Sequence, residues 1–244
     1  MTDIPAILVV AAHAGDFVWR CGGTIAKYTA RGSRVRILIL SDGLRGEAND
    51  YWKRECATEE EGRTLRRAEA TKAADLLGTQ DIVFYGLADY PIEIGTDMIE
   101  EIGHQIRAFR PDVILTHASF DAFNPDHNEV HAAVRKACAA ASGAGFPDSN
   151  PVGPRQIPLF GFEPQMTEIS EFEPSVYVDI SDAFAVKEEA MYIFATQPGM
   201  FRTYVRKAET RGAEDALRGS RPGCRYAECF ESYQPIGSSG DLVW

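Results

Sequence analysis

Polar residues gather directly after four apolar runs of this sequence. The first run leads into His13-Ala14-Gly15-Asp16 and the second into Ser41-Asp42-Gly43-Leu44-Arg45-Gly46-Glu47. Asp89-Tyr90 follow the third, and His117 ends the fourth, with Asn124-Pro125-Asp126-His127 a short loop later. His13, Asp16 and His127 offer two imidazoles and a carboxylate, and three protein ligands leave the fourth position of a tetrahedral zinc open for water or substrate. A histidine three residues before an aspartate is also common by chance, and a lone histidine is more often a satisfied core residue. Spacing alone therefore leaves both readings open. His131, four residues after His127 on one helical face, offers a different two-histidine pair; the expected third ligand is His127 alone, with His117 and His131 as neighbours. Arg20 and Arg45 adjoin these groups in sequence and are candidates to clamp carboxylates, against the alternative of plain surface solvation. Tyr90 is either a hydrogen-bond donor or a packed aromatic.

Buried parallel strands position such groups. AILVVAA (6–12), RVRILILS (34–41), IVFYG (82–86) and PDVILTH (111–117) are short apolar runs rich in β-branched residues, the pattern of strands covered on both faces. Between them, helices are expected over 22–32 and 58–78, closed by Gly32 and Gly78, then over 97–109 and 127–142. Strands alternating with helices give an α/β fold with a mostly parallel sheet and helices on both faces, and ligands of such sheets collect at the carboxyl ends of the strands. The stretch 143–158 is Gly/Pro-rich and reads as a surface loop able to serve as a lid. LFGFEP (159–164) and SVYVDI (175–180) read as further strands, 183–217 as largely helical, and the tail 236–244 as mobile. With no repeat and no sharp shift in composition, 1–244 is expected to be one domain.

The 244 residues are 45% hydrophobic and 25% charged, enough for a full-sized core. Lys and Arg number 25 against 36 Asp and Glu, for a net charge of -11. Nucleic acid is an unsuitable partner for so acidic a surface. An anionic substrate would need a local cluster of arginines working against the global field. The first apolar run is interrupted by His13 and Asp16 and lacks a basic leader, so neither a signal peptide nor a membrane span is expected, and the cytoplasm is the expected location. Five cysteines with no C-x-x-C pair read as small buried thiols rather than a disulfide framework.

VVAAHAGDFVWRCGGTIA resembles the opening motif of the PIG-L (LmbE-like) family, usually AHPDDE followed by a Gly-Gly helix start. RRAEATKAADLLG and THASFDAFNPDHNEVHAAV resemble that family's second helix and its H-P-D-H motif. The resemblance covers about residues 6–135 and implies a Rossmann-like fold with zinc at His13, Asp16 and His127. Two departures matter. Gly15 stands where the family's deacetylases carry the aspartate that serves as general base, and Asn124 stands at the first histidine of H-P-D-H; neither titrates near neutral pH. Phe17 replaces the glutamate.

A longer resemblance, over about 6–235, is to the 4-oxalomesaconate hydratases, a branch of the family that departs at the same two positions. It is carried by AH-x-x-DFVWR-x-GG, SDGLRGE, Trp52-Lys53-Arg54-Glu55, GLADYP, GFEPQ, TYVRKAETRG and RYAE. It implies a hydro-lyase of aromatic-compound catabolism (gallate and protocatechuate degradation) that acts on a small polycarboxylate. Glu47 is the candidate base, and its carboxylate must lie within about 8 Å of the metal to activate a shared water. Asp126 orients a ligand histidine and counts with Glu47 in the catalytic set. Asn124, Tyr90, Arg20, Arg45, Arg206 and Arg211 are the substrate-binding candidates, the last two on resemblance alone. Gln165 stands where these hydratases carry a histidine after Glu-Pro. The alternative is a zinc-dependent N-deacetylase acting on an N-acyl sugar. A homo-oligomer is expected in either case.

Overall fold

The computed structural model describes residues 4–154, 156–218 and 221–233. Strands β1 (Ile7–Ala11), β2 (Val35–Ser41), β3 (Ile82–Leu87), β4 (Val113–His117), β5 (Leu159–Phe162), β6 (Val176–Asp179) and β7 (Ala227–Ser232) form one sheet in the order β3-β2-β1-β4-β5-β7-β6. The first five in that order run parallel; β7 is antiparallel to both β5 and β6. The helices are α1 (Asp16–Thr29), α2 (Glu59–Leu76), α3 (Thr96–Phe109), α4 (Pro125–Ala141), α5 (Phe184–Ile193) and α6 (Phe201–Leu217).

The apolar runs divide their side chains between two cores, as the two-residue period of a strand requires. Ile7, Val9, Ile37 and Ile39 pack with Phe17, Ala73 and Met191 from α1, α2 and α5. Leu8, Val10, Leu38 and Leu40 pack with Ile102, Ile106, Val130 and Val134 from α3 and α4. The chain leaves β1 toward one face and neighbouring β4 toward the other, so the carboxyl ends of these two strands border the crevice where a ligand is expected.

Gly32 and Gly78, at φ 93° and 92°, follow the helices they were expected to close. Four expectations change. The first helix begins at Asp16, not Gly22. It breaks at Cys21 (φ −141°, ψ 16°), and the Gly23 and Thr24 amides donate to the Glu228 carboxylate at 2.9 and 2.6 Å, so the Gly-Gly pair opens a second helical segment. Lys187 pairs with Glu228 at 2.6 Å and donates to the Trp19 carbonyl at 2.9 Å, which replaces bonding that the break removes. The stretch 183–217 is largely helical as expected, in two helices separated at Gln197-Pro198-Gly199.

β7 was not anticipated, since Glu228 and Glu231 break its apolar pattern. The described residues of 143–158 form a loop and line no part of the site cavity; the loop leaves the carboxyl end of α4, whose amino end is at the site, and Arg107 donates to the Ala141 and Gly143 carbonyls beside it. A lid role for it is therefore withdrawn. Cys21, Cys224 and Cys229 are buried and Cys138 half-buried, but Cys56 is exposed, and all are free thiols. Among the described residues no helix is long and apolar enough to cross a membrane. The tail 236–244 lies outside the described residues.

Candidate metal centre and cavity

The ends of β1 and β4 bring His13, Asp16 and His127 together, with one potential ligand atom from each lying within 4.8 Å of the others. Asp16 is held at the start of α1, where its Oδ2 accepts the His13 amide at 2.7 Å. His127 sits in the first turn of α4, a helix opened by Asn124 as N-cap and Pro125 as first residue, a strong start signal. All three are buried.

Each histidine has one ring nitrogen tied to a carboxylate and one without a partner. His13 Nε2 lies 3.1 Å from Asp126 Oδ2, and His127 Nδ1 lies 2.8 Å from Asp121 Oδ2. His13 Nδ1 and His127 Nε2 are buried with no hydrogen-bond partner. Carboxylate–histidine pairs with the free nitrogens converging on a third carboxylate are the arrangement by which proteins orient imidazoles toward a metal ion, so the donors present fit one. Burial, with the neighbouring His117 and Arg20 charges, pushes His127 well below the usual imidazole value and leaves it a neutral donor. At His13 burial opposes the charged form, but the Glu47, Asp126 and Asp16 carboxylates outweigh it and raise the value to about 10. So much negative charge around one imidazole marks a place that selects a cation. His117 is otherwise engaged: its Nε2 accepts the Ala12 amide at 2.9 Å and its ring stacks on His127 at 3.9 Å. His131 bonds the His117 carbonyl at 2.9 Å and stays outside the ligand group.

Glu47 reaches this centre, its Oε1 3.6 Å from His13 Nδ1. The loop that presents it is fixed by Asp89, whose carboxylate accepts the amides of Leu44, Arg45 and Gly46 at 2.8–3.1 Å. Gly46 lies so close under the Tyr90 ring that a Cβ there would fall 2.2 Å from it. Three donors hold the Glu47 carboxylate: Tyr90 Oη at 3.3 Å, Asn124 Nδ2 at 3.2 Å and Gln197 Nε2 at 2.5 Å. Asn124 accepts the Asp126 amide on its oxygen, which leaves its nitrogen for Glu47. The Gln197 amide is oriented in the same way, because the buried Arg66 donates to its Oε1 at 2.8 Å. Asp126, besides holding His13, accepts the Tyr90 and Ile92 amides at 2.9 Å each.

A cavity of about 260 Å³ opens over these groups, with Asp16, Arg20, Glu47, Tyr90, Asn124 and Gln165 among its lining residues. The arginines do not converge on it. Arg20 lines it, but Nη1 is spent on the Glu163 carbonyl at 2.8 Å and Nε lies 3.4 Å from Asp16. Arg45 is exposed and turns into a separate depression beside Glu59 and Arg63. Arg206 points to the solvent from α6. Arg211 is tied to Glu163 at 2.6 and 3.0 Å and to Glu214 at 2.7 Å, so it braces the strand end that receives Arg20. The three are removed from the cavity's lining because α6 and the loop after β2 turn those faces outward.

Sequence reasoning missed Asp121, Trp19, Thr196, Gln197 and Tyr204. The Gln-Pro-Gly break was the available signal for the 196–197 pair, as helix breakers place loop residues at a site. At Gly15, an added Cβ would lie 2.6 Å from Trp19 Nε1 and 2.8 Å from Gln197 Oε1. The space beside Gly15 is thus filled by an indole and an amide.

Residues 8–138 match the family described as GlcNAc-PI de-N-acetylase, PIG-L. Over 238 residues the sequence is 32% identical to the 4-oxalmesaconate hydratase of Pseudomonas putida, covering 96% of this chain and 91% of that one. It is 30% identical over 203 residues to the diacetylchitobiose deacetylase of Thermococcus kodakarensis, covering 80% and 71%. The crystal structure of GalB, the 4-carboxy-2-hydroxymuconate hydratase of Pseudomonas putida, superposes with a TM-score of 0.92 at 30% identity, over 98% of this chain and 99% of that one. With its His-Asp-His centre built at the β1 and β4 ends, and matched over more than half its length, the chain belongs to the PIG-L family.

Proposed function

We propose that this protein is a zinc-dependent hydro-lyase that adds water across the conjugated double bond of 4-oxalomesaconate, or its enol form 4-carboxy-2-hydroxymuconate, to give 4-carboxy-4-hydroxy-2-oxoadipate. The observation that carries the reading is the exchange of carboxylates at the centre. Position 15 offers no base and its surroundings are filled, while Glu47 stands 3.6 Å from His13 Nδ1 in the grip of three donors. Its three donors fix the direction of the carboxylate, as a positioned general base requires. Extensive similarity to hydratases, over nearly the whole chain, supports the same choice.

His13, Asp16 and His127 would hold the zinc, which when bound supplies Lewis-acid polarisation of a substrate oxygen. Glu47 takes a proton from the water as its oxygen bonds the substrate carbon, and the double-bond electrons move toward the carboxyl group conjugated with that double bond. A proton taken up at the neighbouring carbon balances the one Glu47 accepted, so the net change is addition of H and OH. Asp126 and Asp121 orient the two imidazoles, and Asn124, Tyr90 and Gln197 aim the base. Tyr90 keeps its proton, because burial and the Glu47 charge raise its value.

The test is direct. Zinc-loaded protein should consume 4-oxalomesaconate, read as loss of the conjugated absorbance, and Glu47→Gln should lower the rate by about 10²-fold or more. No consumption by the zinc-loaded protein, with amine released instead from N-acetylglucosamine derivatives, would overturn the proposal in favour of an N-deacetylase.

A further inference from the structure

The cavity's carboxylates all have donors, yet two of its donors have no acceptor. Trp19 Nε1 and Tyr204 Oη are buried without a hydrogen-bond partner, and both residues line the cavity. They are 2% and 3% exposed, and their rings stack at 5.8 Å and 24°. A buried donor without a partner loses its hydration with nothing in return, so two on one wall are a standing demand for an acceptor. Burial raises the Tyr204 hydroxyl above its ordinary value, so it stays protonated. Arg20, the neighbouring residue on α1, lines the same cavity and brings a guanidinium whose Nη2 lies 3.4 Å from His127 Nδ1 and 3.8 Å from Asp121 Oδ2.

From these groups we infer that Trp19, Tyr204 and Arg20 form a subsite for a carboxylate of the bound ligand. An indole N–H and a phenol O–H give one hydrogen bond each, and the guanidinium supplies the charge that favours a carboxylate over a neutral hydroxyl. The subsite is built from α1 and α6, whereas Glu47, Tyr90 and Asn124 come from the loops after β2 and β3 and before α4, so a ligand held there is anchored by a group other than the one that reacts. It answers how a protein of net charge -11 accepts an anion: neutral donors require no converging arginines. The assignment rests on the proposed polycarboxylate substrate, and its test is chosen to stand apart from that proposal.

The experiment titrates the zinc-loaded, ¹⁵N-labelled protein with tricarballylate, a saturated tricarboxylate that cannot react, and with neutral N-acetylglucosamine. The Trp19 indole signal, assigned by elimination with Trp52→Phe and Trp244→Phe, should move downfield with tricarballylate and stay in place with the sugar. Tyr204→Phe, which removes one oxygen, should weaken tricarballylate binding by about tenfold, as loss of one hydrogen bond to a charged group predicts. An indole signal that does not move with tricarballylate, or that moves with the sugar alone, overturns the subsite; so does unchanged affinity in a folded Tyr204→Phe protein. Binding as expected without turnover of 4-oxalomesaconate would leave the subsite standing and remove the hydratase reading. Turnover with an unchanged KM in Tyr204→Phe would do the reverse.

Discussion

Restoring a carboxylate at position 15 is the perturbation that asks most of this structure. Gly15 has φ −93°, open to any residue, so the cost of a side chain there is one of space and charge rather than of backbone strain. The Cβ of Gly15→Ala would lie 2.6 Å from Trp19 Nε1 and 2.8 Å from Gln197 Oε1, under the 3.0 Å that real Cβ contacts respect. Trp19 is 2% exposed and packed on Phe194 and Tyr204, and Gln197 is fixed by Arg66 and Glu47, so neither can yield freely.

Overpacking of this kind costs about 1–3 kcal/mol. Gly15→Asp adds a carboxylate beside buried Asp16, and the total should reach about 3–5 kcal/mol. At roughly 2–4 °C per kcal/mol for a chain of this size, the alanine variant should melt a few degrees below the parent and the aspartate variant about 10 °C below. Thermal and urea unfolding of both variants in the presence of a chelator measures this, and acetate release from N-acetylglucosamine derivatives by the zinc-loaded aspartate variant completes the assay. Wild-type stability in Gly15→Asp, together with efficient acetate release, would refute the claim that Trp19 and Gln197 have taken over the space of the lost base.

Three further outcomes follow from the described contacts. Gln197→Glu removes a donor from Glu47 and sets a second carboxylate against it, so kcat/KM for 4-oxalomesaconate should fall by about tenfold or more, and an unchanged value would contradict the contact. Asp126→Asn removes the anion behind His13 and should weaken zinc by about 10–100-fold in competition with a chromophoric chelator; equal affinity would show that the pair does not support the metal. Glu163 is held below its ordinary value: burial raises it, but Arg211 and Lys207 outweigh that. A depressed carboxylate stabilises the fold above its unfolded value, near 4.5, and loses that contribution as pH falls through the folded one. Glu163→Gln should therefore destabilise the protein at pH 7, with the difference shrinking below about pH 4.5 in urea titrations.

The strands were legible because unbroken β-branched runs such as 6–12 and 34–41 admit few other readings, and the candidate ligands His13 and Asp16 stood out because they follow the first of those runs at once. The loop after β2 was legible in its carboxylate but not in its arginine: Glu47 and Arg45 lie two residues apart, and only the Asp89 bonds to successive amides decide which one turns inward. The opening of α1 was hidden because all six residues from Asp16 to Cys21 are buried, the polar pair Asp16 and Arg20 included, so no solvent-facing stripe marks it. β7 was hidden because Glu228 is a buried charge whose partner, Lys187, is remote in sequence. Tyr204 became visible only when α6 packed against α1, since no local pattern tells an inward tyrosine from a core one.

The break at Cys21 has a consequence for how this centre is assembled. The Glu228 carboxylate that starts the second half of α1 belongs to β7, near the far end of the chain, and Gln197 and Tyr204 also lie beyond the 8–138 stretch that bears the ligands. The candidate ligands thus lie within one stretch, while the cavity draws Trp19, Arg20 and Glu47 from that stretch and Gln197 and Tyr204 from beyond it. Substitutions in the later part can retune what the cavity accepts while the cation's own ligands stay untouched. Completion of that cavity, by contrast, has to wait until β7 has been made and has docked.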